Sequence, residues 1–395
     1  MKPMGTIPPE FRSMPLTIGG KKVEQWAGST PVFVYDRSVV ERRVARFRAA
    51  FPGVDLHYAV KANPFAPLLE AMAALVDGFD VASAGELQRV VGLGKPVSFA
   101  GPGKADAELD AAIAAGATIN LESESEADRA LKIADRQGVT PRLAVRVNPE
   151  FELRGSGMRM GGRASPFGID AERVPALVRR IVAAGADWQG FHIFAGSQAL
   201  DAAAIVDSQT HTLDLAARLA EEAGAAPPLV NLGGGFGIPY FPGEQALDVE
   251  AIGAALTPRL AGMPGTHFAI ELGRWLVGEA GVYLTRVIDR KESRGETFLV
   301  CDGGLNHQLA ATGNLGTVVR RNYPLAVASA APDAPCETVS VVGPLCTPLD
   351  RLADQVELPV AQPGDVIAIF MAGAYGLSAS PWEFLGHPRP AEILT

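Results

Sequence analysis

The sequence predicts an α/β protein: a (β/α)8 barrel of the TIM type followed by a mainly β domain. Three observations predict it. Eight short apolar, β-leaning runs alternate with Ala-, Leu- and Arg-rich helical stretches. Beyond about residue 275 the helical pattern gives way to β-branched runs punctuated by Gly and Pro. Polar residues gather at the C-terminal ends of the eight runs, where barrels of this kind carry their chemistry. A doubly wound open sheet shares the alternation, and strand count alone does not separate the two.

In chain order, a helix over 38–50 leads into the first strand, 57–60 (HYAV). The remaining runs are 79–82 (FDVA), 97–100 (VSFA), 118–121 (TINL), 143–147 (LAVRV), 189–194 (QGFHIF), 229–232 (LVNL) and 267–271 (HFAIE). Helices are expected over 66–77, 84–93, 106–115, 124–137, 171–185, 202–223 and 248–262. The β texture returns at 279–289, 296–302, 338–343 and 365–371, and the N-terminal PLTIGG and PVFVYD are also strand-like. The boundaries drawn from this are a barrel over 36–275 and a β domain made of 1–35 and 276–395.

Composition narrows the function. With 35 basic and 44 acidic residues the chain carries a formal charge of −9, so no basic stripe offers itself to nucleic acid. No apolar run approaches the roughly 18 residues needed to cross a bilayer. The start, MKPMGTIPPEFRSMP, lacks the apolar core of a secretion signal. Three cysteines cannot build a disulfide framework, which points to a reducing cytoplasm. The six histidines show no H-x3-H pair, and no metal site is expected.

Several strand-end residues then stand out. Lys61 ends HYAVK, and period 2 puts His57, Ala59 and Lys61 on one face. A buried amine there has a lowered pKa and is a Schiff-base nucleophile; an exposed one merely snorkels to solvent. Gly233, Gly234, Gly235 and Gly237 surround Phe236 after LVNL, more glycine than a turn requires, and match neither the P-loop nor the dinucleotide fingerprint. Such a run lets main-chain N–H groups approach an anion. Glu271 and Arg274 either serve a ring nitrogen and an acid group or pair with each other. Ser83-x-x-Glu86 and Ser123-x-x-Glu126 read as helix caps, and Glu122, Glu124 and Glu126 as a solvated helix start. Cys346, in VGPLCTPLD beside Asp350, is either a presented thiol or an inert apolar residue, and Tyr375 in MAGAYG either meets a phosphate or packs.

Taken together, YAVKAN, FDVAS-GEL, GSQ, GGGFG, ELGR, GPLC-x-x-x-D and GAY occur in the order found in pyridoxal-phosphate decarboxylases related to diaminopimelate and ornithine decarboxylases. The chain resembles that family, with its alanine-racemase-like fold, from about residue 31 to about 385. The resemblance implies that Lys61 carries pyridoxal 5′-phosphate as an internal aldimine and that Glu271 keeps the pyridine nitrogen protonated. Asp80 and Arg146 would line the ring's polar surroundings. Gly233, Gly234, Gly235, Gly237, Ser197, Arg274 and Tyr375 would lie near the phosphate or the bound amino acid. Asp302, with Asp350, would face the substrate. Cys346 would come from the partner subunit of a homodimer, and either it or Lys61 would return a proton to Cα once carbon dioxide has left.

Departures from the family pattern bear on the substrate. Phe194 stands where relatives place a histidine stacked on the ring, and Leu272 where a proline is frequent. Ala310 and Asn314 stand where the diaminopimelate branch has an arginine and a tyrosine, which leaves a distal carboxylate without a clamp. HIFAGSQ, GIPYFPGE and ATGNLG resemble a specialised-pathway branch, some of whose members act on carrier-tethered amino acids or accompany exosortase loci. The implied activity is amino-acid decarboxylation on a free or carrier-tethered substrate. The alternatives are a racemase on the same fold, against which Glu271 argues, and an inactive coenzyme-binding regulator.

Overall fold

The computed structural model describes the chain except for Met14, Ser156, Met160, residues 315–320 and Pro332, and the side chains of Met158 and Arg159. The chain divides into two compact units, one of residues 44–237 and 246–273, the other of residues 1–43, 238–245 and 274–395.

The first unit is a closed parallel barrel. Its strands are Asp55–Ala59, Gly78–Val81, Val97–Phe99, Thr118–Leu121, Arg142–Asn148, Asp187–Ile193, Leu229–Asn231 and His267–Leu272. Each pairs with the next, and the eighth pairs with the first through Glu271 opposite His57. Closure rules out the open sheet. Alternation along the strands explains why they fold this way. Residues of one parity, such as Leu56, Tyr58, Phe79, Val81, Ile119, Val145, Phe191 and Ile270, are fully buried apolar side chains that suit the helix-covered face. The other parity supplies His57, Asp80, Ser98, Asn120, Arg146, His192, Asn231 and Glu271, all buried. A barrel interior is ordinarily filled by Val, Ile and Leu. Here it is polar, with a cavity of about 280 Å³ at the strands' N-terminal ends, lined by His57, Ser98, Asn120 and Asn231 among others.

The helices follow the expected order. Ser83 and Ser123 cap theirs, each hydroxyl accepting from the main-chain N–H of Glu86 or Glu126. Those glutamates reach back in turn to the N–H groups of Ala82 and Glu122. The expectation of a solvated helix start fails at two of its three acids. Glu122 and Glu126 are buried, because Arg146 and Lys104 neutralise them at 2.8 and 2.6 Å.

The second unit is built on the strand Gly281–Ser293. Its first half lies between Val32–Tyr35 and Val366–Ile369, and its second half forms a hairpin with Glu296–Cys301. Arg294 and Gly295, both at positive φ, make the two-residue turn. Cys336–Val342 and Arg351–Pro359 extend that end, Leu325–Val327 pairs with Val366–Ile369, and Ala391–Leu394 joins Val32–Tyr35. Both ends of the chain therefore belong to this unit, and so do residues 36–43 and 238–245. Among the described residues no helix is long and apolar enough to cross a membrane.

Candidate active site

The site is built at the C-terminal ends of the barrel strands. Lys61 is not on the first strand. That strand ends at Ala59, and Lys61 sits on the single 3-10 turn Val60–Ala62 just beyond it. The side chain is consequently half-exposed at the mouth rather than buried among the strands, and its Nζ lies 3.3 Å from Asp80 Oδ2. Asp80, at the second strand's end, is 1 % exposed, and its other oxygen has no hydrogen-bond partner among the described residues. Burial raises its carboxyl from the ordinary 3.8 to about 6, helped by the charge of Glu271 and opposed by Lys61.

Glu271, at the end of the eighth strand, is held at both oxygens. His192 Nε2 is 2.9 Å from Oε1, and Asn231 Nδ2 donates to Oε2 at 2.9 Å. Burial alone would raise this carboxyl. His192, by charge and by hydrogen bond, with Lys61 and His57 beyond it, holds it well below the usual range. Glu271 is thus an anion at neutral pH, suited to a cationic ring nitrogen.

The glycine run lies beside it. A side chain on Gly234 would meet the Glu271 carbonyl oxygen at 1.9 Å, and one on Gly237 would meet that of Ala199 at 2.8 Å. Gly233 and Gly235 have φ of +67° and +89°, which L-residues rarely adopt. Main-chain bonds from Ala199 to Gly235 and from Gly237 back to Ala199 stitch the run to the segment carrying Ser197. The Ser197 hydroxyl is buried without a hydrogen-bond partner among the described residues, and Phe194 packs against Gly233. The backbone cup, the orphaned hydroxyl, an anionic carboxylate and a lysine at the mouth fit a phosphorylated aldehyde with a basic ring. Arg146 donates to Glu122, which also accepts from the N–H groups of Gly101 and Gly168.

In the second unit Arg274 donates to the Tyr240 hydroxyl at 3.1 Å and lies over the Tyr375 ring at 4.6 Å. Tyr375 adopts φ +53°. Asp302 is occupied by Thr30, Thr285 and the N–H of Arg286, and Asp350 by the N–H groups of Leu305 and Leu345. Gly304 and Gly343 abut Asp350 so closely that side chains there would strike its carboxylate. Asp350 therefore braces the loop that carries Cys346, whose side chain is exposed. Asn231 escaped the sequence reading, and His192, although among the polar strand-end residues, carried no role there. Their signal was a polar side chain at an inward-facing position within an apolar run.

A closed barrel with a lysine at its mouth, a glycine cup and a buried anion has the parts that a pyridoxal-phosphate barrel enzyme requires. The family described as pyridoxal-dependent decarboxylase, pyridoxal binding domain, matches residues 37–278, and the chain belongs to it. It is 36 % identical to an L-glutamyl-[BtrI acyl-carrier protein] decarboxylase of Niallia circulans, over 92 % of this chain and 88 % of that one. It is 32 % identical to the diaminopimelate decarboxylase of Methanothermobacter thermautotrophicus, covering 96 % and 90 %. The diaminopimelate decarboxylase of M. jannaschii in complex with L-lysine superposes with a TM-score of 0.88 at 26 % identity, covering 99 % and 92 %. The protein is a pyridoxal-phosphate-dependent amino-acid decarboxylase, and pyridoxal 5′-phosphate is its cofactor.

Proposed function

We propose that this decarboxylase acts on an amino acid presented by a carrier protein, in the manner of the glutamyl-carrier enzyme it resembles. The observation that carries this is 36 % identity over 92 % of the chain to that relative. The acid end supports it too: Ala310 and Asn314 stand where the diaminopimelate branch has an arginine and a tyrosine. A free diacid would find no clamp there.

When bound, pyridoxal phosphate supplies an aldehyde for amines and a cationic ring that takes up the electron pair left as carbon dioxide departs. Lys61 is the amine that holds the coenzyme, and Asp80 keeps its Nζ directed over the mouth. Glu271 retains the proton on the ring nitrogen. Gly233, Gly234, Gly235, Gly237 and the Ser197 hydroxyl receive the phosphate, and Phe194 offers an apolar face to the ring. Arg146, fixed by Glu122, sets the polarity of the mouth. Arg274 and Tyr375 act on the substrate or phosphate side. The working form is a cytoplasmic homodimer in which Cys346 of a second copy returns the proton to Cα; its exposure and the brace from Asp350 suit a thiol presented outward.

The test is carbon dioxide release from glutamyl-loaded carrier protein, set beside free L-glutamate, other free amino acids and meso-diaminopimelate. Turnover confined to the carrier-bound substrate is expected; equal turnover of a free amino acid would overturn the reading. Cys346→Ala is expected to keep its coenzyme band and lose about 10²–10⁴-fold in turnover.

A further inference from the structure

The acid assigned to the ring nitrogen does not stand alone. Glu271 N donates to Gly233 O at 2.8 Å, Gly233 N donates to Asn231 Oδ1 at 2.9 Å, and Asn231 Nδ2 donates to Glu271 Oε2 at 2.9 Å. These three bonds close a ring that joins the ends of the seventh and eighth strands. It ties the carboxylate to the first glycine of the phosphate cup through one amide side chain. On the opposite side His192 Nε2 meets Oε1 at 2.9 Å, while Nδ1 is buried with no hydrogen-bond partner among the described residues. Among the described residues this imidazole bonds to Glu271 alone. His192, Asn231 and Glu271 are 2, 3 and 6 % exposed, so water does not compete for these bonds.

A carboxylate on a flexible two-methylene stem, buried and unbraced, can rotate away from a ring nitrogen or take up a proton itself. Donors on both oxygens prevent each of these. We propose that His192 and Asn231 are positioning residues: together they fix the direction and the charge of the Glu271 carboxylate, and Asn231 also sets its spacing from the phosphate cup. The proposal rests on the reading of Glu271 as the partner of the ring nitrogen. It predicts that their contribution to coenzyme binding is felt only when the coenzyme has a ring nitrogen to hold.

The experiment titrates coenzyme-free protein with pyridoxal 5′-phosphate and with 1-deazapyridoxal 5′-phosphate, in which a CH replaces that nitrogen. Wild-type protein is expected to prefer the natural coenzyme by about 10–100-fold, the range typical of removing a partner that orients a ligand. In His192→Leu the preference should fall below about threefold because affinity for the natural coenzyme drops, while affinity for the analogue stays near wild type. His192→Gln, which keeps an N–H donor, should restore most of the preference. Asn231→Leu should lose the preference and also weaken the analogue, since the cup spacing is disturbed. If wild type does not discriminate, the reading of Glu271 falls and takes this proposal with it. If wild type discriminates and His192→Leu does so equally, or His192→Gln fails like leucine, the positioning role alone is overturned. A second readout needs no variant at 192. In ¹⁵N-histidine spectra of coenzyme-free protein, His192 should show a slowly exchanging Nε2–H that is lost in Glu271→Leu. A proton exchanging freely in wild type would contradict the bond.

Discussion

Two carboxylates at the mouth of one barrel, at the ends of the second and eighth strands, are equally buried and titrate in opposite directions. Asp80 has Lys61 at 3.3 Å on one oxygen and, among the described residues, no hydrogen-bond partner on the other, and burial pushes it up to about 6. Glu271 has donors on both oxygens and is held below the usual range. Burial is common to both, so the neighbours decide: His192 lowers Glu271 by charge and by hydrogen bond, while the charge of Glu271 raises Asp80 further against Lys61. The difference suits the proposed roles: a braced acid that stays anionic is fit to face a cationic ring nitrogen, and the unbraced one lies 3.3 Å from the lysine proposed to hold the coenzyme.

Removing the charge from the braced acid should have the largest effect. Glu271→Gln is expected to cut carbon dioxide release about 10²–10³-fold while leaving the protein folded, as checked by steady-state assay and circular dichroism. With its neighbour's charge gone, Asp80 should titrate lower than in wild type, a shift that infrared spectroscopy of the carboxyl band can follow.

Asp80→Asn should cost less, about tenfold in rate, and its signature lies in pH. Because the folded-state pKa of Asp80 is raised from 3.8 to about 6, the folded chain holds a proton that the unfolded chain releases between those values. Stability of the coenzyme-free protein contributed by this group therefore falls as pH rises through that window, and Asp80→Asn should remove the decline. Glu271 acts with the opposite sign. Its pKa is lowered, so its contribution is present above its unfolded value near 4.5 and fades as pH falls below it. Thermal melts carried from pH 7 to below pH 4 resolve the two, Asp80 between about 4 and 6 and Glu271 below about 4.5.

Ser83→Ala sits just past Asp80 and marks the small end. Loss of the cap should cost about 1 kcal/mol of stability with little change in turnover, showing that the second strand's end matters through Asp80 rather than through the helix behind it.

The barrel was legible because its evidence is local. The run TINL is a strand at its expected bounds, 118–121, and the helices 124–137 and 202–223 also fall where the pattern put them. In the second unit Leu325–Val327 is too short, and Arg351–Pro359 (RLADQVELP) too polar, to announce itself, with Gln355 at positive φ breaking the alternation. Electrostatic context was hidden for another reason. Glu271 meets His192 and Asn231 from 79 and 40 residues away, and Glu122 meets Arg146 from another strand, so no window of sequence shows the pairing. Glutamates opening a helix look solvated until their cations are placed. Motif order singled out Lys61 and the glycine run; only three dimensions show what fixes the acid at the end of the eighth strand.

The claim on which the account depends is that one lysine anchors the coenzyme. Protein loaded with pyridoxal 5′-phosphate, reduced with borohydride, digested and mapped by mass spectrometry, should carry the pyridoxyl increment on Lys61 alone, and Lys61→Ala should carry none. A label on another lysine, or an unlabelled Lys61 in a chain that still releases carbon dioxide, would contradict it.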